Sequence, residues 1–434
     1  MGGLRRFWLV LVVVAVLGLL ARADRPAVGQ ADATPPGEPA FEAGDVLVAS
    51  ASFAQPVHAM FRGNPARTGQ HAGPGPAGTP TRRWRFDTEG GVSSSAAVAG
   101  GMVYVGSADG ALYAVDAVTG AERWRRETGG EVSSSPAVAG GVVYVGSNDG
   151  TLYAVDAAAG EDVWRFATEA AVVSSPAVAD GVVYVGGWDG RLYALDAATG
   201  EERWRVVAEA EIFSSPAVAD GVIYLGGLDG VLRAIDATTG RAHWRADLGS
   251  PMYASPAVAG GTVYVGTANG DLMAVATGDG KTRWRFPVGA AVNASPAVAD
   301  GVVYVGGNDG VLHAVDDRSE EEVWRVEIGA ELFSSPAVAD GVVYLGGADG
   351  SLRAIDAEAG TERWRLALGG GVYSSPTVVG GVVYVGGLDG ALYAIGGAEP
   401  KRSSSAPPGT PGVRRPDGST SSPSGAAAPV WRRR

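Results

Sequence analysis

The sequence predicts an all-β protein, an eight-bladed propeller of four-stranded antiparallel blades closed by its own N-terminal strand. Three observations carry this. Tryptophan recurs every 40 residues without a slip, at Trp84, Trp124, Trp164, Trp204, Trp244, Trp284, Trp324 and Trp364. Tyrosine keeps the same step from Tyr104 to Tyr384, and five residues after each tyrosine stands Asp-Gly, with Asn269-Gly270 the one variant. The ends of the repeat are incomplete in complementary ways. Thr81–Thr88 is a tryptophan strand without three strands before it, and Tyr373–Ile395 holds three strands without a tryptophan strand. Each completes the other if a ring closes, whereas an open solenoid would leave two bare edges.

One unit, from Ser174, reads SSPAVADGVVYVGGWDGRLYALDAATGEERWRV. Its four apolar runs are separated by Gly-containing turns, and the Asp-Gly between the second and third signals a tight hairpin. The second run is apolar on successive residues, so both of its faces are expected to be buried between stacked sheets. Side chains grow from Ser, Pro and Ala in the first run to Trp in the fourth. Such a taper suits sheets fanned about an axis.

The flanks differ from the repeat. Arg5-Arg6, the apolar run Phe7–Leu20 and Ala21-Arg22-Ala23 predict a signal peptide over residues 1–23, or an anchor if it stays uncleaved. That segment is the only expected membrane contact. Residues 24–52 read as a flexible linker, 53–80 as a lead-in packed on the ring, and 81–397 as the propeller. Residues 398–434 read as a basic, disordered Ser/Pro/Gly tail.

Composition excludes several functions. The 434 residues include no cysteine, which removes disulfides, thiolate metal sites and cysteine nucleophiles. Net charge is −13 overall, but residues 81–397 carry 21 Lys and Arg against 40 Asp and Glu. A domain this acidic repels nucleic acid. The four histidines are scattered. The recurring serines lack a local histidine base, and the Gly-rich stretches lack a phosphate-loop lysine. A monomer is expected.

The units contain Ala-x-Asp-x-x-Thr-Gly-x-x-x-Trp, whole at Ala114–Trp124, Ala194–Trp204 and Ala234–Trp244. This resembles the tryptophan-docking repeat of the bacterial pyrroloquinoline-quinone (PQQ)-type propellers, which include quinoprotein alcohol dehydrogenases and the propeller lipoprotein of outer-membrane assembly. The resemblance covers 81–397. It implies that the eight tryptophans dock between blades and that Asp and Thr-Gly hold the turn. Departures are Ala159 and Ala359 for Thr, Ala276 for Asp, and Ser319-Glu320 for Thr-Gly. A dehydrogenase of this family would add insertions around the blades, a calcium and often an adjacent cysteine pair. Here the spacing is constant and cysteine is lacking. The same lack excludes a lipid-anchored N-terminal cysteine.

Candidate binding residues are those that differ between copies. The slot before each Ser-Ser-Pro run holds Ser93, Ser133, Val173, Phe213, Tyr253, Asn293, Phe333 and Tyr373. Two residues upstream stand Glu131, Glu211 and Glu331, and before one Asp-Gly stands Trp188. These loops share one face of a propeller, so the slots are expected to converge on its funnel rim. The Asp-Gly carboxylates are hard oxygen donors, but aspartate also belongs in such turns for backbone reasons; no metal, no cofactor and no catalytic residue is expected. The reading is an exported, non-catalytic binding or scaffolding propeller of the bacterial cell envelope, meeting an envelope protein or polymer at the rim. The alternative is a PQQ- and calcium-dependent alcohol dehydrogenase, and the third a structural spacer.

Overall fold

Three features of each unit decide its fold: a small-residue inner run, a tight Asp-Gly hairpin, and an outer run that alternates polar and aromatic residues. The structure, a computed structural model, describes residues 59–397. The segments read as signal peptide, linker and tail lie outside these. In the first blade β2 (Ala97–Ala99), β3 (Met102–Gly106), β4 (Ala111–Asp116) and β5 (Glu122–Glu127) pair antiparallel in that order. Six further blades repeat this arrangement at 40-residue intervals. The eighth takes Thr377–Val379, Val382–Gly387 and Ala391–Gly397 from the C-terminal side and β1 (Pro80–Asp87) from the N-terminal side. Innermost strands touch their neighbours all round, including those of blades 1 and 8. The protein is therefore a closed eight-bladed, all-β propeller. Its middle strands are buried on both faces, as the unbroken apolar run predicts, and its outer strands alternate.

The blades are stitched together at the axis by serine. The backbone N–H of Ser95 donates to Ser135 Oγ, that of Ser135 to Ser175 Oγ, and so on through Ser215, Ser255, Ser295, Ser335 and Ser375 back to Ser95. All eight bonds span 2.8–3.1 Å and close a ring. A side chain without an acceptor at these positions would leave a buried N–H without a partner.

Away from the axis the tryptophans join the blades. Trp124 and Tyr104 of blade 1 both donate to the carbonyl of Ala157 in blade 2, and their rings lie 5.8 Å apart. The same pairing recurs for Trp164 with Tyr144 on Ala197, Trp204 with Tyr184 on Ala237, and Trp84 with Tyr384 on Ala117. The rings of Trp84, Trp124, Trp164, Trp204, Trp244 and Trp324 each cover the glycine of the next blade's turn. At Gly200, with φ +74, an added Cβ would stand 2.6 Å from the Trp164 ring. Glycine is needed there both for its backbone angle and for the close approach.

The seam between blades 5 and 6 departs from this. Its turn has Glu320, at φ 64, where the other six described turns have glycine. The indole N–H of Trp284 is buried there without a partner, and Tyr264 bonds the Asp317 side chain. The degenerate Ser319-Glu320 sequence and the missing bond thus fall at one seam.

The lead-in runs along the inner edges of the blades. An innermost strand leaves its axial N–H groups unpaired, and the lead-in answers six of them. Val138, Val218, Val258, Val298 and Val338 donate to the carbonyls of Ala59, Pro65, Ala66, Thr68 and Gly69, and Val378 donates to His71 Nδ1. Its two arginines are buried. Arg67 reaches the carbonyls of Ser175, Pro176, Pro216 and Phe61, and Arg62 those of Arg67, Ser295 and Pro296. Their guanidinium groups meet the carbonyls of the serine ring and the prolines that follow it. Burial pulls both pKa values down to about 9, so both remain cationic at neutral pH.

Two stability outcomes are expected. Glu320→Gly relieves the left-handed backbone strain and raises stability by about 1 kcal/mol, whereas Gly200→Ala costs about 2–4 kcal/mol through strain and collision with Trp164; denaturant midpoints of the two variants check this. Burial pushes the phenols of Tyr104, Tyr153, Tyr193, Tyr304 and Tyr344 up to about 12. A raised folded pKa supplies stability that is complete below the free phenol's value of about 10 and lost as pH rises through the folded value. The depressed values of Arg62 and Arg67 act in the opposite sense above about pH 9, but they are two groups against five. The unfolding midpoint is expected to fall steeply between about pH 10 and 12; a flat profile there would contradict the assignment.

Candidate functional site at the funnel rim

The approach loop of each blade and the hairpin turn between its second and third strands meet on one face. Asn148 N donates to Glu131 O, Trp188 N to Ala171 O, and Leu388 N to Gly371 O. The variable slots therefore surround one funnel, with the serine ring as its floor and the arginines of the lead-in behind that floor.

On this rim the structure gathers two aromatic groups. Trp188 of blade 3 lies 4.9 Å from Phe213 of blade 4, and Phe213 packs edge-on, 5.5 Å away, against Tyr253 of blade 5. Across the funnel Phe333 and Tyr373 of blades 7 and 8 pair at 4.8 Å. All five are half-buried. Blade 6, between the groups, contributes Asn293 and Asn308, whose amide oxygens are shielded from water and unpartnered. The indole N–H of Trp188 is in the same state. Blades 1 and 2 bring the polar remainder, with Ser93, Ser133 and Glu131. The amide of Asn148 donates to Glu131 at 3.4 Å, and burial raises the Glu131 pKa. Glu211 and Glu331 are exposed. After burial itself, their charges are what raise the pKa values of Tyr253 and Tyr373 respectively.

The aspartates of the hairpin turns hold protein donors, although Asp389 Oδ1 is buried without one. Asp149 accepts from the N–H groups of Thr151 and Gly129 and from the Tyr153 hydroxyl. Asp109 and Asp189 do the same in their blades. Where arginine replaces the tyrosine, Arg233 and Arg353 are buried as ion pairs with Asp229 and Asp349. His313, in the same slot of blade 6, bonds Glu322 through Nδ1 at 2.6 Å.

Four stretches, residues 77–175, 148–254, 228–319 and 308–403, match the PQQ repeat family described as outer membrane protein assembly factor BamB. The chain belongs to that family. Solved structures share its fold. The crystal structure of BamB from Moraxella catarrhalis is 18% identical over 73% of this chain and 100% of that one, with a TM-score of 0.65. A europium-containing methanol dehydrogenase is 16% identical over 78% of this chain and 98% of that one, with a TM-score of 0.68. The quinohemoprotein alcohol dehydrogenase from Comamonas testosteroni is 18% identical over 79% and 81%, also with a TM-score of 0.68. No curated protein sequence matches the chain. Identities this low establish the fold and leave function to the site itself.

The rim of this BamB-family propeller does not fit a quinone with its calcium. The aromatic faces that would sandwich a planar cofactor lie against one another. The floor is serine, the turn carboxylates already hold protein donors, and no three acidic or histidine side chains converge among the described residues. Sequence reasoning placed the rim slots but overlooked Arg62 and Arg67. The signal was available, as two arginines five residues apart in a lead-in with no nearby acidic residue.

The turn aspartates are therefore expected to act on structure alone. Asp149→Ala should cost about 1–3 kcal/mol by stranding the Tyr153 hydroxyl and two N–H groups. Calcium at a few millimolar should leave the thermal midpoint of the unaltered protein where it was. A calcium-dependent rise would reveal a metal site.

Proposed function

We propose that the chain is a non-catalytic binding or scaffolding propeller of the bacterial cell envelope, and that it engages a protein or polymer through the funnel rim. The observation that carries this is the rim itself. Half-buried aromatics and unpartnered polar groups crowd the mouth of the funnel. Partly exposed aromatics clustered beside unpaired carboxylates are the chemistry of recognition. The rest of the ring follows a repeat whose conserved slots are consumed by folding. Membership of a family described by an outer-membrane assembly factor supports an extracytoplasmic setting and an assembly role. The predicted signal peptide supports export, although it lies outside the described residues.

A photo-crosslinker at Phe213 or Tyr253 is expected to form a discrete adduct in envelope preparations, lost when it is moved to the exposed Val118 in a turn on the opposite face. Purified protein titrated with PQQ and calcium is expected to show neither saturable tryptophan quenching nor alcohol-dependent dye reduction. Saturable binding with turnover would overturn this reading in favour of a dehydrogenase.

A further inference from the structure

Charge on the funnel face is one-sided. The approach loops and hairpin turns of the eight blades, residues 88–96 and 107–110 and their equivalents, contain six glutamates and seven aspartates but no Lys, Arg or His. Much of this charge is already answered. The turn aspartates are hydrogen-bonded as described, Glu169 pairs with Arg191, and Glu209 with Arg245. Glu131, Glu211 and Glu331 take part in none of the ion pairs among the described residues. Glu211 and Glu331 stand beside the aromatic groups, acting on Tyr253 and Tyr373 respectively, whereas Glu131 stands on blade 2 beside Asn148. Between those groups the Asn293 and Asn308 oxygens are shielded acceptors without donors. The mouth thus offers acceptors, negative charge and aromatic surface, and lacks a cation.

The group that answers all three is a guanidinium. It is planar, lies over aromatic rings, carries five donors in a fixed fork and sheds water more readily than an ammonium. We propose that the funnel mouth over blades 4 to 8 binds an arginine-bearing extended segment of a partner polypeptide, with arginine side chains lodged between the Phe213–Tyr253 and Phe333–Tyr373 groups. This rests on the reading of the rim as a binding face and names its ligand. The two glutamates beside the aromatic groups match a segment carrying more than one arginine, and association steered by this field weakens as salt rises.

The test uses the purified full-length protein and a fluorescently labelled hexaarginine peptide followed by anisotropy. Hexaglutamate and maltohexaose are the comparison probes. Hexaarginine is expected to bind saturably and more weakly in high salt. The triple variant Glu131→Gln/Glu211→Gln/Glu331→Gln should weaken it by about tenfold or more, as should Asn293→Ala with Phe213→Ala. Unchanged circular dichroism and thermal midpoints would show that each variant is folded. Glu161→Gln/Glu201→Gln/Glu321→Gln removes equal charge from exposed sites on the opposite face and is expected to leave binding intact. If it weakens binding as much as the rim triple does, the attraction belongs to the acidic ring as a whole and the proposal fails. Preference for maltohexaose would overturn the cationic ligand while leaving the rim a binding face. Failure of every probe, with no crosslink through Phe213, would remove both readings.

Discussion

The closed ring of eight serine hydrogen bonds is the constraint on which the rest of the molecule depends. Each bond spends a backbone N–H of one blade on a hydroxyl of the next, so no blade meets its hydrogen-bonding needs alone. The bonds lie where the blades crowd closest, and only a side chain as small as serine both fits and accepts. From this follow the short inner strands, the growth of side chains with radius, and the tryptophans at the outer seam. There the gap between blades has widened enough to need an indole.

The axis also sets an unusual balance of charge. The lead-in brings two arginines into contact with backbone carbonyls and no carboxylate. Burying a cation without a counter-ion is costly unless its donors are met. Here they are met by Ser-Pro carbonyls that the inner strands leave over, so an excess of acceptors along the bore is matched by an excess of donors from one segment. The funnel on the far side of the serine ring is the reverse case. It has acceptors and negative charge, and the ion pairs of the described residues leave Glu131, Glu211 and Glu331 without a cation.

Much of this was legible in the residues. The 40-residue step gave the blade count, the mismatched ends gave the closure, and the unbroken Val-Val-Tyr-Val runs gave strands buried on both faces. The rim slots were found by asking where copies differ. Aromatic contacts between blades, such as Phe213 on Tyr253, could not be read, because adjacency across a funnel depends on its diameter. The serines were taken as merely small, since their role as acceptors appears only when the blades meet. The lead-in was hardest. It has no periodicity, and Arg62 and Arg67 find most of their partners more than 100 residues away.

The route of the lead-in bears on how the molecule assembles. Residues 59–71 answer the inner edges of blade 2 and of blades 4 to 8, and the same stretch continues into β1, which pairs with the last strand, Ala391–Gly397. Both tasks need partners made much later in the chain. Residues synthesised early must therefore wait for nearly the whole ring before they can settle. Contacts of such long sequence separation slow folding. Blades 1 to 7 can form in order as local hairpins, but the axis fills and the circle locks in one late step.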